Sequence, residues 1–412
     1  MYSMKSNIHS SNQNNPILFC AVILFLLSPI LSGICFFIYF FSKKEISKGG
    51  YIVFLACLSM WAGGVFATKE IGGDIYAYRL FYLDAGRLGI LDFTKNAWGA
   101  ENYREPLYSL IVYFGYYLTG GNFRLFTFAL SSATVFIGLY AAVRFLLSLR
   151  ATKGAILCGV ISLTFFIQYF DLVTHLTRQV LAMSIVMYAI SRKAEDGKNH
   201  WWLLISSVLI HTTALLLVCF SLIPWIRKRL GLVPLSATLG IVGGAVAFNY
   251  LIGSSLAEVS QGVGAINYAA QRLGSNLSDS DSGMNSFIMA LVLAPLSFFA
   301  IKNIWGNKKS PPAYCFVANI FLALTVFVVC FSQNPLVQYR YFYYTFSFIP
   351  FLLPLLRLRS SRLAPWYQFG IATFFIIYFF MRVNQVFRYA PLDDIFFYPS
   401  WYLIIHPYSW LT

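Results

Sequence analysis

The amino-acid sequence predicts an all-α, polytopic membrane protein of about 11–12 transmembrane helices, short and re-entrant ones included. Three observations predict it. The composition is 58% hydrophobic and 18% aromatic, with 11% charged residues and a mean hydropathy of +0.67. Soluble domains carry about a quarter charged residues, so this chain lacks the polar groups to cover a water-facing surface. Apolar runs long enough to cross a bilayer recur along the 412 residues. Finally, the net charge of +15 falls on one side of the resulting map, as Lys and Arg kept in cytoplasmic loops would do. That account replaces nucleic-acid binding as the reason for the charge. A soluble enzyme, a disordered tail and a disulfide scaffold are excluded, and residues 1–412 read as a single integral membrane domain.

The expected spans are residues 17–41, 50–67, 123–147, 154–170, 174–190, 231–253, 284–301, 312–332, 341–356 and 364–382. The first is too long for a cleaved signal peptide and has no basic region before it. Two segments need a different reading. Residues 201–224 are flanked on both sides by basic loops, Arg192/Lys193/Lys198 and Arg227/Lys228/Arg229. If both loops are cytoplasmic the chain must turn back, and His211-Thr212-Thr213 is the natural turning point. Residues 106–119 are too short to cross and read as an interfacial or re-entrant helix starting at Pro106, where the missing N–H costs nothing.

With the N-terminus outside, loops 42–49, 148–153, 191–200, 225–230, 302–311 and 357–363 are cytoplasmic. Together with Arg144 they hold 18 basic and three acidic residues, whereas the other side holds 12 of each. Two long polar interruptions, 68–105 and 254–283, form the outer-face loops. The seven cysteines (Cys20, Cys35, Cys57, Cys158, Cys219, Cys315, Cys330) all lie in apolar stretches with no C-x-x-C pair, and read as packing residues.

The outer face collects the unusual polar side chains. Loop 68–105 carries Lys69, Asp74, Tyr78, Tyr82, Asp84, Arg104 and Glu105; loop 254–283 adds Glu258, Arg272, Asp279 and Asp281. His175, Arg178 and Gln179 open one span, His211 marks the turn, and Gln338, Arg340, Tyr341, Tyr343 and Tyr344 open another. Singly, each has a structural explanation. Arg178 and Arg340 would be interfacial anchors, His211 a neutral bundle residue, the tyrosines an aromatic belt, and Glu105 a charge at the start of a helix. Together they are a site: arginine forks bind phosphate oxyanions, aromatic faces suit sugar rings or lipid tails, and a carboxylate or His can take a proton from a hydroxyl.

In this pattern the chain resembles the EpsG family of bacterial membrane proteins, which belongs with the Wzy-type polysaccharide polymerases. The resemblance runs over roughly residues 50–357. It is carried by Gly73-Asp74-x3-Tyr78-x3-Tyr82, Glu105-Pro106-Leu107-Tyr108, Arg178-Gln179 with Ala182-Met183, Ile210-His211-Thr212-Thr213-Ala214-Leu215, and Arg340-Tyr341-x-Tyr343-Tyr344. The chain departs from the family in having Lys69 where an Arg is common, and Thr212 and Thr213 where a Ser is common. Lys keeps the charge but loses the bidentate fork. Residues 383–412, with Asp393, Asp394, Trp401 and Trp410, carry no part of the resemblance.

The resemblance implies a GT-C-like glycosyltransferase bundle in the bacterial inner membrane with its active site on the periplasmic face. It would join oligosaccharide units carried on undecaprenyl pyrophosphate, moving the growing chain onto a hydroxyl of the incoming lipid-linked unit. Arg178 and Arg340 are then expected to hold the pyrophosphate, and Glu105 or His211 to be the catalytic base. Asp74, Tyr78, Gln179 and Tyr341 would bind sugar. Arginines supply the positive charge, so no metal and no cofactor is expected. Partners are the lipid-linked oligosaccharide and membrane lipid, with room for a chain-length regulator. An O-antigen ligase uses the same donors and is the first alternative. A lipid-linked oligosaccharide flippase is the second, although transporters place substrate charges near the midplane.

Overall fold

In the computed structural model the described residues are 16–96, 105–229, 282–306, 310–330, 335–355, 364–383 and 388–411. The expected span 231–253, loop residues 254–281 with Glu258, Arg272, Asp279 and Asp281, and Arg104 lie outside them. Among the described residues the chain is helical with no strand. The protein is an all-α, multi-pass membrane protein.

The first apolar run is not one crossing. It forms two helices, Pro16–Phe25 (α1) and Pro29–Ser42 (α2), separated at Leu26–Ser28. Ser28 is extended (φ −159°, ψ 126°) because the residue before a proline is pushed out of the helical region, while Pro29 suits the first turn of a new helix. Ser32 Oγ donates to the carbonyl of Ala21 at 2.8 Å, which requires α1 to fold back along α2. Pro16 therefore returns toward the end of the bundle from which α2 leaves, so the expected span 17–41 is corrected to a helical hairpin. Phe19, Ile34, Phe37 and Phe41 stay exposed on this hairpin, a surface that suits lipid.

Lys48–Phe66 (α3) and Phe123–Ser148 (α7) are the central crossings, with Asp74–Asp84 (α4), Ile90–Asn96 (α5) and Pro106–Leu118 (α6) between them. Ser47 caps α3 by accepting from Gly50 N at 3.1 Å, and Asn122 caps α7 by accepting from Leu125 N at 3.1 Å. The two helices pack closely because Gly63 has no side chain: a Cβ there would stand 2.7 Å from the Phe128 carbonyl. Residues 68–96 of the expected outer loop 68–105 hold more helix than their polarity promises. Ile75, Tyr78, Phe81 and Tyr82 recur at helical spacing, and that buried stripe folds α4.

Expected span 154–170 bends by 49° where Lys153–Thr164 (α8) gives way to Ile167–His175 (α9). Thr177–Asp196 (α10) follows and packs on α7; it ends at Gly197, whose φ of 77° is the left-handed cap glycine favours. Next come Trp201–Ile210 (α11) and Ala214–Leu222 (α12), broken at His211-Thr212-Thr213 as expected. They form a hairpin along α10: Lys193 near the end of α10 donates to the Ser221 carbonyl, and the Arg227 guanidinium stands where a Gly197 side chain would be.

Ser282–Gly306 (α13) contains Pro295, and Pro312–Cys330 (α14) supplies Asn319, whose Nδ2 donates to the carbonyls of Ile226 at 2.6 Å and Lys228 at 2.9 Å. Expected span 341–356 starts earlier, as Pro335–Phe346 (α15) and Ile349–Leu352 (α16). Ala364–Arg382 (α17), Leu392–Phe397 (α18) and Ser400–Ile405 (α19) complete the chain. By length and composition α3, α7 and Pro312–Val329 are apolar enough to cross a membrane, and α8–α9 is a fourth if the bent pair is one span.

Of the loops expected to share a side, 42–49, 148–153, 191–200 and the described residues 225–229 share an end, while 357–363 lies outside the described residues. Lys153 Nζ donates to the carbonyls of Phe40 at 2.9 Å and Lys43 at 2.8 Å, and Arg144 pairs with Glu195. The opposite end gathers the C-terminus of α3, the N-termini of α7 and α10, and the His211 turn. Residues 388–411 lie over the α3 and α7 part of that end. Arg124 donates to carbonyls of Ala67, Leu403 and His406, and Trp410 Nε1 donates to the Thr68 carbonyl at 2.9 Å.

Candidate functional site

Three elements far apart in sequence deliver three ionisable side chains to one point. Glu105 precedes Pro106 and sits at the N-cap of α6, yet its carboxylate makes no cap bond. One oxygen accepts from Arg178 Nη1 and the other pairs with His211 Nδ1. Arg178 stands in the first turn of α10, and His211 at the α11–α12 break, its backbone extended (φ −157°, ψ 124°). The expected stabilisation of α6 by Glu105 is thus not made through a cap bond; the carboxylate is used across the bundle instead. Burial alone would raise the Glu105 carboxyl, but its bonds to His211 and the charge of Arg178 outweigh that and hold it below the ordinary glutamate range.

Aromatic rings enclose the guanidinium. Arg178 Cζ lies 5.7 Å from the centre of the Tyr78 ring and 6.0 Å from that of Tyr108, within cation–π range. The two rings meet edge to face at 6.3 Å. Tyr78 comes from the buried stripe of α4 and Tyr108 from the first turn of α6, so the packing that folds the loop also builds the wall of the site.

The second arginine arrives on α15. Gln179 Nε2 donates to the carbonyl of Arg340 at 2.9 Å, so Gln179 fastens α10 to α15 through the backbone. One turn on, the Tyr344 hydroxyl shares a 2.7 Å hydrogen bond with Thr213 Oγ1, and Tyr341 packs on Tyr344 with ring centres 5.8 Å apart. Gln338 Nε2 donates to the Val328 carbonyl at 3.1 Å, holding α15 against α14.

Asp74 belongs to a neighbouring group. It starts α4 with its carboxylate 3.9 Å from His175 Nε2. Beyond it Lys69 Nζ is 3.8 Å from Asp171 Oδ1 and 3.3 Å from the Asp171 carbonyl, and Tyr389 OH donates to Asp171 Oδ1 at 2.7 Å. Burial pushes the Lys69 ammonium down to about 8 against the opposing charge of Asp171. A cavity lies between the two groups. Tyr78 and Tyr108 line it from one side, Lys69, Arg124 and Thr174 from another, and Leu411 reaches it from the C-terminus.

Of the residues expected in a site, Glu105, Arg178, His211 and Tyr78 meet directly, Gln179 joins the helices of the two arginines, and Tyr341 packs beside them. Tyr108, Arg124, Asp171, Tyr344 and Tyr389 were given no role from sequence. Tyr108 and Tyr344 stand inside motifs already singled out, whereas Arg124 and Asp171 are lone charges beside apolar runs, and that isolation was the available signal. Among the described residues no three His, Cys, Asp or Glu side chains converge as a metal site.

The arrangement has defined chemical capacities. A carboxylate that accepts from imidazole Nδ1 fixes the tautomer in which Nε2 carries the lone pair. Such a pair removes a proton from a hydroxyl, and the adjacent guanidinium supplies fixed positive charge. Compared with known protein families, the chain matches the EpsG family over residues 50–399, beyond the stretch over which the sequence motifs run. No curated protein and no solved structure matches it.

Proposed function

The chain belongs to the EpsG family of Wzy-type polysaccharide polymerases, and from that membership and the Glu105 cluster we propose that it polymerises undecaprenyl-pyrophosphate-linked oligosaccharide units. In this reading a hydroxyl of the incoming unit attacks the anomeric carbon that joins the growing chain to its carrier. The new glycosidic C–O bond forms, the old bond to pyrophosphate oxygen breaks, and the hydroxyl proton passes to His211 Nε2.

The observation that carries the reading is the Glu105 carboxylate bound to both Arg178 and His211 Nδ1. It supports a division of roles between the two candidate bases. A carboxyl held below the glutamate range is a weak proton acceptor, whereas an imidazole oriented by a carboxylate is well suited to the task. Glu105 is therefore the orienting group and His211 the base. Arg178, with Arg340 on the adjoining helix, attracts the pyrophosphate and stabilises the charge it gains on leaving, an effect typically worth about 2.7–4 kcal/mol per donor in comparable sites. Tyr78, Tyr341 and Asp74 contact the sugars, whereas Gln179, expected as a sugar ligand, is buried and bonded to the Arg340 carbonyl and so positions the two arginine helices instead. The positive charge comes from arginine, and the reading uses no metal or cofactor.

Since the basic loops gather at the opposite end of the bundle, the positive-inside rule supports a site on the periplasmic face of the bacterial inner membrane. There the polyprenyl tail stays in lipid while its pyrophosphate reaches the arginines. A chain-length regulator would bind outside this site. The test is the surface-glycan ladder of a deletion strain complemented with wild type or His211→Ala. A ladder restored by wild type and reduced to single repeats by H211A supports the reading. Full-length polymer retained on the carrier lipid in the deletion strain would show a ligase, and a ladder unaffected by the deletion would sink the enzyme reading.

A further inference from the structure

We infer that Thr213 and Tyr344 are a positioning pair that sets the His211 imidazole against the helix carrying Arg340; the inference rests on His211 being the base. His211 closes α11 with its N–H still donating to the Ser207 carbonyl at 3.0 Å, but its extended backbone takes the side chain out of helical register, so contacts beyond α11 must set its direction. Two kinds of contact hold the turn at its height. Ile210 and Ala214 on either side are buried in the aromatic cluster of Tyr78 and Tyr108. The carbonyls of His211 and Thr212 accept from Ala214 N at 3.1 Å and Leu215 N at 3.0 Å. Both kinds act along α6, α10 and the turn itself. The hydroxyl–hydroxyl bond between Thr213 and Tyr344, 2.7 Å long, joins the turn to α15.

The chemistry of that bond argues that it has a purpose. Tyr344 is fully buried, and a phenol placed there instead of a phenyl ring carries a desolvation cost unless its hydroxyl is paired. The partner is the side chain two residues after His211, not a convenient carbonyl. Tyr344 stands four residues after Arg340, on the same face of α15. The Arg340 carbonyl is in turn held by Gln179, the residue next to Arg178. Thus α15 is stitched to the helix of Arg178 at one turn and to the His211 loop at the next. This double attachment fixes the base relative to both cations, which a transfer between two lipid-borne substrates requires, because displacing a reacting group by about 1 Å can cost a hundredfold in rate.

The experiment uses the full-length protein in lipid nanodiscs, with undecaprenyl-pyrophosphate-linked repeat units extracted from the deletion strain as substrate. Variants are Tyr344→Phe, Thr213→Val, Thr213→Ser, the Y344F/T213V double and His211→Ala. Y344F and T213V are each expected to lower kcat about ten- to a hundredfold with KM little changed. The double variant should be no worse than the poorer single one, because both remove the same bond. T213S retains the hydroxyl and should turn over near the wild-type rate. Wild-type kcat in either single variant, additive losses in the double, or no rescue by Ser would overturn the inference. Should Y344F fail to accumulate, the comparison of T213V with T213S decides alone. Turnover in H211A would instead remove the reading of His211 as base, so the two failures are distinguishable.

Discussion

Glu105 shows how one side chain can hold two others in place. Its carboxylate is buried against Arg178 and His211, which keep it ionised below the usual glutamate range despite the cost of burial. A group with a depressed folded pKa stabilises the fold fully above its unfolded value of about 4.3, and that contribution fades as pH falls through the lower folded value. Replacing Glu105 with Gln removes this charge, leaving Arg178 half-buried beside neutral partners and His211 without its orienting carboxylate. E105Q should lower turnover about a hundredfold or more. Its thermal stability should fall below wild type at neutral pH, with the gap closing in strong acid. Equal unfolding temperatures at pH 7 would show that the ion pairs contribute nothing net.

Individual helices in this protein are set by small residues and prolines more than by hydrophobicity. Pro29 divides the first apolar run into a hairpin, Pro106 starts α6 so that Glu105 turns away from its own helix, and Gly197 ends α10. Gly63 has the strongest consequence for packing. A methyl there meets the Phe128 carbonyl and Ser132 of α7, and backbone cannot swing aside as a side chain can. Gly63→Ala should destabilise the α3–α7 pair by about 1–3 kcal/mol, the usual cost of overpacking. Detergent-solubilised G63A should unfold at a lower temperature than wild type, whereas Gly33→Ala, with open space around it, should not.

The whole molecule separates two tasks by end. Basic loops gather where Lys153, Arg144 and Arg227 make their contacts, and the Glu105 cluster lies at the other end beside the C-terminal segment. The α11–α12 hairpin carries that separation, because Asn199 and Arg229 leave at one end while Thr212 turns at the other. In a cysteine-free background, an impermeant thiol reagent applied to intact cells should label Thr212→Cys and spare Asn199→Cys and Arg229→Cys. Labelling of Arg229→Cys but not Asn199→Cys would mean that α11 and α12 form a crossing, which contradicts the hairpin.

Much of this architecture was legible in the sequence. Composition determined the solvent, and charge placement pointed to the shared end of loops 42–49, 148–153, 191–200 and 225–229, because lipid penalises exposed polar backbone and charge wherever they fall. The His211 turn was readable for the same reason: two basic loops flank a segment with a polar centre. Glu105, Arg178 and His211 were each recognisable as unusual. Their meeting was not, since it joins positions 73 and 106 residues apart along the chain. Tertiary packing alone decided that Glu105 orients His211, that Tyr78 and Tyr108 enclose Arg178, and that Arg124 holds the C-terminal segment. Hydrophobic period shows which face of a helix is buried, but not which neighbour buries it. That choice depends on close contacts such as Gly63 against α7, on breaks such as Leu26–Ser28, and on hydrogen bonds whose partners lie on other helices.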